Sequence, residues 1–414
     1  MKWLLWLACV GLLAACSRLS ADEPKLQTAD AYCERGSASL DKGEYDKAIT
    51  DFTEAIRLNP KNANAYSKRG WAYVGKGDND KGIADCTEAI RLDPKDARAY
   101  NNRGFTYSRK REFDKMIADY TEAIHLNPRD ARAYNNRGVA YGAKGEYDKE
   151  IADCTEAIRL DPKFALAYSD LGLAYGGKGE YDKAIAQCTE AIRLDPKLAN
   201  AYDNRGGAYM FKGKHDRALA DFTEAIRLDP KYAEAYRNRG WVYGTKGEPD
   251  KAIVDYTEAI RLDPKVAKSH NNRGFLYMCR REYEKAVADY NEAIRLDPKD
   301  AAPHNNLALV YGIGRGEYDK AIAELNEAIR LNPKSFDAYN NRGGAYMCKG
   351  EHDKAIADFN EAIRLDPKNA RAYGNRADAY RKKGEFYKAA VDRIKAEELS
   401  DNRNRASDSS SPLR

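Results

Sequence analysis

The amino-acid sequence predicts an all-α chain: a solenoid of about eleven stacked helix-turn-helix units. Three observations carry that expectation. The segment Ala99-Tyr-Asn-Asn-Arg-Gly-Phe-Thr-Tyr107 returns 34 residues later as Ala133-Tyr-Asn-Asn-Arg-Gly-Val-Ala-Tyr141, and Thr-Glu-Ala-Ile-Arg-Leu-Asp-Pro recurs at the same interval. Prolines at 60, 94, 128, 162, 196, 230, 264, 298, 333 and 367 keep that step, with one step of 35. The composition is 33% charged and 43% hydrophobic over 414 residues, too polar for a thick core. Yet 29 Tyr and many Ala make it too apolar for disorder, so a thin, extended core fits. Lys+Arg 70 against Asp+Glu 65 leaves +5, which implies no nucleic-acid partner. Five His without a His-Glu-x-x-His spacing give no sign of a metal hydrolase.

The elements follow in chain order. Met1–Lys2 is a short basic start, and the 13 almost uniformly apolar residues Trp3–Ala15 are too short for a mature membrane span. Residues 1–15 read as a signal peptide. Its end, Leu13-Ala14-Ala15-Cys16, resembles the bacterial lipobox, in which cleavage before the Cys leaves a lipid on that thiol. The resemblance implies lipidation at Cys16 and, with Ser17 rather than Asp after it, an outer-membrane address if the host is Gram-negative. Residues 16–30 form a lipid-anchored tether reaching at most about 50 Å.

Within a unit, Tyr134, Gly138 and Tyr141 fall at helical spacing, and Gly145 permits a tight turn. A second helical run follows with Ile151, Cys154, Ala157 and Ile158, and Pro162 prevents its continuation. Gly138 and Ala157 are small enough for the two helices to approach closely. One such hairpin cannot bury both faces, so neighbours must stack.

The 34-residue unit resembles the tetratricopeptide repeat family over about nine-tenths of the chain. In that family's frame Tyr100 is position 4, Gly104 position 8, Tyr107 position 11, Ala123 position 27 and Pro128 position 32. The resemblance implies a right-handed solenoid over residues 31–399, first helices on the concave wall and second helices on the convex wall. The tail 400–414 is rich in Ser, Asp, Asn and Arg and reads as disordered.

Position 7 is Arg in nine units, Arg103, Arg137 and Arg239 among them, and Leu171 and Leu307 in the other two. Position 23 is Asp in the same nine, including Asp119, Asp153 and Asp255, but Gln187 and Glu324 in the Leu units. The coinciding exceptions imply a structural Arg–Asp pair within each unit, which withdraws nine arginines from any nucleic-acid surface.

No residue pattern implies a cofactor, a metal or a catalytic centre. Cys86, Cys154 and Cys188 replace the aromatic of position 24 and read as core; Cys33 reads as the most reactive thiol. Two departures from the pattern stand out. Gly312-Ile-Gly-Arg-Gly316 carries one extra residue and suggests a hinge, and Glu150 at position 20, usually a small Ala, suggests local loosening. On the convex helices Lys149 and Asp153, and Glu156 and Arg159, read as a self-neutralising face.

The concave wall carries the functional expectation. Position 6 is Asn in eight units: Asn102, Asn136, Asn204, Asn238, Asn272, Asn306, Asn341 and Asn375. A carboxamide donates and accepts, so a row of them suits the backbone of an extended peptide. The row resembles the asparagine ladder of peptide-binding tetratricopeptide superhelices, although Asn is also general consensus there. Position 9 adds Trp71, Phe105, Trp241 and Phe275 to the wall. Asn101 and Phe105 stand where the chaperone-binding subfamily's carboxylate clamp has Lys and Asn, so that ligand is not implied. The expectation is a non-enzymatic, lipid-anchored scaffold of the bacterial envelope that holds a protein or peptide segment along its groove. The alternatives are a spacer or self-assembling array, and a glycan- or peptidoglycan-binding module. The oligomeric state is left open.

Overall fold

A computed structural model describes residues 28–409. Cys16, the signal segment and the tether up to residue 27 lie outside the described residues, as do residues 410–414. The described residues form 22 α-helices and one π-helical turn, with no strand among them. They fall into two compact bodies, one ending at Pro196 and one beginning at Lys197. The first holds five helix pairs, from Ala29–Asp41 to Tyr181–Leu194; the second holds six, from Ala199–Phe211 to Phe386–Ser409.

Each pair is set by local chemistry. The first helix Ala97–Arg109 starts where the Asp96 carboxylate accepts from the Arg98 amide at 3.0 Å, capping an orphan donor. The second, Phe113–Leu126, stops where Asn127 turns extended ahead of Pro128. The same caps recur: Asp130 accepts from Arg132 N at 3.0 Å, and Asp300 from Ala302 N at 2.9 Å. The turn inside each pair needs a left-handed residue. Gly145 supplies φ 77°, but Arg111 and Arg281 hold φ 59° and 61° at the equivalent place.

Close approach inside a pair depends on Gly at position 8. A Cβ on Gly343 would stand 2.6 Å from the Phe359 ring, and one on Gly104 would stand 3.2 Å from Tyr120. The rings themselves, Phe52, Tyr120, Phe222, Tyr290 and Phe359, are fully buried, each contributing roughly 2 kcal/mol. Cys86, Cys154 and Cys188 fill the same slot and are equally buried. Within each body consecutive first helices touch one another, whereas second helices contact mainly the helices flanking them in sequence. First helices therefore line the inner wall of each body.

Four expectations change here. The extra residue of the ninth unit is absorbed as a π-helical turn, Val310–Gly314, which lets the first helix continue to the usual turn glycine, Gly316 at φ 68°. The final helix runs to Ser409, past the Ser400 boundary at which disorder was expected. Cys33 is buried, its sulfur accepting from Asn62 Nδ2 at 3.6 Å, and burial pushes its thiol pKa up. That environment opposes reactivity; Cys279 and Cys348 are the exposed cysteines. Glu150 does not loosen its unit: a Cβ on Gly142 would fall 2.2 Å from Glu150 Oε2, so the small residue at position 12 makes the room that the large one at position 20 uses.

Candidate peptide-binding groove

The position-7 arginines fix the wall on which the groove is built. In all nine units Nε and Nη2 of the Arg grip the two carboxylate oxygens of the Asp sixteen residues on, at 2.5–2.9 Å. Arg103–Asp119, Arg137–Asp153 and Arg239–Asp255 are thus two-point forks on buried carboxylates. The third nitrogen does further work. Nη1 of Arg69, Arg103, Arg239 and Arg273 donates to the Thr hydroxyl of the preceding unit at 3.1–3.2 Å, and Nη1 of Arg342 and Arg376 to an Asn oxygen at 2.6 Å. One guanidinium joins two helices of its own unit and the unit before it. Because Arg137 holds Asp153, Lys149 pairs with Glu146 at 2.5 Å instead, while Arg159–Glu156 closes at 2.6 Å on the outer face.

In the ninth unit, where Leu307 replaces the Arg, Glu324 is met by His304 Nδ1 at 2.7 Å. His270 lies 3.4 Å from Asp289. Among the described residues no cluster of His, Cys, Asp or Glu has the arrangement of a metal site.

The asparagines at position 6 are half-buried on the first helices. Their amides are partly engaged by the protein. Asn102 Nδ2 donates to Ser67 Oγ at 3.2 Å, Asn238 to Asp203 at 3.1 Å, Asn306 to Asn271 Oδ1 at 3.1 Å and Asn341 to Asn305 Oδ1 at 3.0 Å. In each case the acceptor is position 5 of the preceding unit. Asn375 and Asn340 lie 2.9 Å apart in the same register, and Asn272 Nδ2 donates to Tyr256 OH at 3.3 Å. Asn204 sits at the equivalent point of Ala199–Phe211. A carboxamide has two N–H groups and a carbonyl, so one donation pins the group and leaves the others for a ligand. Seven of the eight Asn follow a Ser, Asp or Asn at position 5 of the preceding unit; Asn272 follows Arg237 there and turns to Tyr256 instead.

Each body carries a cleft on this wall. In the first, Trp71 and Phe105 stack with ring centroids 5.1 Å apart and planes tilted by 53°. They line a cleft of 420 Å³ with Lys68, Asn102, Arg132 and Asn136. Arg98 and Asp130 complete its rim, and Asn101 donates to Asp130 at 3.0 Å while its own buried Oδ1 has no partner. In the second body a cleft of 380 Å³ lies beside the π-helical turn, lined by Leu309, Ile313, Asn341, Cys348, Arg371 and Asn375. Trp241 and Phe275 are exposed on first helices of the same body, outside that cleft.

A different group stands inside the first body. Glu150, Asp170, Asn135 and Cys154 are all buried together, with Asn135 Nδ2 donating to Asp170 at 2.8 Å and Cys154 Sγ 3.8 Å from Asn135 Oδ1. Burial pushes the Glu150 carboxyl up to about 8, with the nearby Asp170 adding to it. Burial likewise raises Asp170 to about 6, against the pull of the Asn135 hydrogen bond. Burial also pushes the Cys154 thiol pKa well up, which opposes its acting as a nucleophile, so the cluster belongs to the packing.

Known proteins agree with this architecture. Patterns described as TPR repeat match residues 29–77, 112–145, 206–247 and 280–312, and patterns described as tetratricopeptide repeat match 63–96, 86–118, 131–198, 233–266, 313–370 and 359–390. A comparison with curated protein sequences gave no match. Among solved structures, the chain resembles that of the APC/C hetero-tetramer Cut9-Hcn1 at 17% identity, with a TM-score of 0.52 over 92% of this chain and 96% of that one. A tetratricopeptide repeat protein from Parabacteroides merdae matches at 23% identity and TM-score 0.51, covering 57% of this chain and 94% of its own. Human IFIT1, solved as a dimer with PPP-AAAA, matches at 13% identity and TM-score 0.55, covering 92% of each chain. At these identities the likeness is one of fold. With its eleven helix pairs accounted for and its repeats matched from residue 29 to residue 390, the chain belongs to the tetratricopeptide repeat family.

Proposed function

We propose that this protein is a non-enzymatic scaffold of the bacterial envelope, anchored through lipid on Cys16, that holds an extended peptide or protein segment against its first-helix wall. The observation that carries the reading is the cleft of the first body, where stacked aromatic rings lie beside pinned carboxamides. An apolar side chain of the ligand would sit on Trp71 and Phe105, and its backbone would pair with the free edges of Asn102 and Asn136. Lys68, Arg98 and Arg132 line the same cleft and favour a segment with acidic residues flanking its apolar anchor. The nine position-7 arginines are engaged by aspartates, which supports a protein partner over a nucleic acid. Cys86, Cys154 and Cys188 are accounted for as buried replacements of the position-24 aromatic, which supports a non-catalytic role.

The test is a pull-down from detergent-solubilised envelopes with the full chain and a Trp71→Ala/Phe105→Ala variant checked for helicity by circular dichroism. Capture of one protein lost with the variant supports the groove. Capture retained, or none, overturns it; co-sedimentation with cell wall would then favour a glycan ligand, and inert behaviour a spacer. Lipidation is tested separately by radiolabelled fatty-acid incorporation, expected in the wild type and abolished by Cys16→Ala.

A further inference from the structure

The eleventh unit breaks the pattern by which the earlier units of its own body receive their successors. At internal junctions a base at position 14 reaches the acid at position 18 of the unit before: Lys110 to Asp80 and Lys246 to Asp216 at 2.6 Å, Lys383 to Asp353 at 2.5 Å. The position-7 arginine reaches the Thr or Asn at position 25 of that unit, as Arg103 reaches Thr87 at 3.1 Å. In the last unit position 18 is Tyr387 and position 25 is Ile394. Both acceptors have become large apolar groups, so this end is built to refuse a further repeat stacked head to tail.

It is also not built as a solvated cap, which the end of a repeat array requires for solubility. Phe386, Tyr387, Val391 and Ile394 are between 49% and 82% exposed. Tyr387, exposed Ala390, Val391 and Ile394 follow the i, i+3, i+4, i+7 spacing and form one stripe on the helix Phe386–Ser409. The charges flanking the stripe are split by sign. Residues 382–388 hold three lysines, of which Lys383 is taken by Asp353 at 2.5 Å and Lys388 by Glu385 at 2.7 Å. Residues 395–401 hold three acids, of which Glu398 is taken by Lys395 at 3.2 Å, so the excess charge is Lys382 at one end and Glu397 and Asp401 at the other. Arg393 between them is held by Asp378 at 2.7 Å. A surface that is basic at one end, apolar in the middle and acidic at the other is complementary to itself when reversed.

We infer that this terminal face seats a second copy of the chain, the two last helices packing antiparallel about a two-fold axis near Ala390 and Val391. The axis sets the apolar stripes against each other and each lysine-rich end against an acid-rich one, an isologous contact that closes at two chains. A single-helix interface is small, so association is expected in the micromolar range.

The experiment is sedimentation equilibrium of the full chain in density-matched detergent from roughly 1 to 100 µM, spanning that range. Two variants accompany it. Tyr387→Asp/Ile394→Thr restores residue types that internal units carry at these exposed places, and Glu397→Lys/Glu398→Lys removes the charge match; circular dichroism confirms unchanged helicity. The expected result is a wild-type mass rising from one chain to a plateau at two, the first variant remaining at one, and the second dissociating at least about tenfold more readily. A wild type that stays at one chain, a mass that climbs past two without plateau, or variants that associate as the wild type does would each overturn the proposal.

Discussion

At the scale of the residue, Glu150 shows how one substitution in a repeat is made tolerable by another. Its equivalents in the following units are Ala184, Ala218 and Ala252, and Gly142 is what admits the longer side chain. The carboxyl pays with its pKa, which burial lifts to about 8. The unfolded chain releases this proton near the ordinary value of about 4.3, so between there and about 8 the native state binds more protons than the unfolded one. Stability therefore falls as pH rises through that window and levels off above it. Glu150→Ala is expected to stabilise the protein by roughly 2–3 kcal/mol at about pH 7.5 and by little near pH 4.5. Urea denaturation at both pH values checks it, an equal gain at both being the contrary result. Asp170 and Asp203, raised by burial to about 6 and about 7, keep a residual slope of the same sign in the variant. The turn residues give a second prediction. Arg111 and Arg281 hold left-handed φ where nine other units have Gly, so Arg111→Gly and Arg281→Gly should each add roughly 0.5–1 kcal/mol after the looser unfolded chain is counted. A thermal shift upward for both variants is the outcome to look for; no shift would mean the strain is relieved elsewhere.

At the scale of the element, the Arg–Asp fork is what distinguishes these helix pairs from pairs closed by Leu. The covariation of Arg and Asp, and its joint failure at Leu171/Gln187 and Leu307/Glu324, were legible because the two positions sit sixteen residues apart in ten units and seventeen apart in the ninth, which carries one extra residue. The third bond, from Nη1 to the preceding unit, was not, because position 25 is Thr or Asn in the first ten units, either of which accepts, and its changes do not track those of position 7. For the same reason the Asn row suggested a ligand surface while its part in latching units together stayed hidden. The fork buries a carboxylate, so removing one partner strands a charge. Arg103→Leu alone is expected to cost about 3–5 kcal/mol, whereas Arg103→Leu with Asp119→Gln, which recreates the Leu171/Gln187 pairing, should return to within about 1.5 kcal/mol of the wild type. A double-mutant cycle measured in urea decides it. Additive losses would mean that the Arg acts through its bond to Thr87 rather than through Asp119.

At the scale of the whole molecule, the repeat period, the helix pairing and the family were in the sequence, since a 34-residue period repeats each signal eleven times. What escaped were events that happen once: the π-helical turn at Val310–Gly314, the burial of Cys33 and the apolar terminal face. A single departure from a pattern says that something changes but not where the neighbouring side chains go. The repeated architecture also dictates how the protein should come apart. Contacts within each body run between a helix and its sequence neighbours or between adjacent first helices, so cooperative units are local and stability is a sum of intrinsic and nearest-neighbour terms. Gly343→Val tests this, because any side chain there drives into the Phe359 ring, 2.6 Å from the position of its Cβ. Hydrogen exchange should show protection lost in the helices Phe336–Cys348 and His352–Leu365 and weakened in the pairs on either side, while the helices between Ala29 and Leu126 keep theirs. Protection lost at once along the chain would show a single cooperative unit, and the nearest-neighbour account of this repeat array would have to be abandoned.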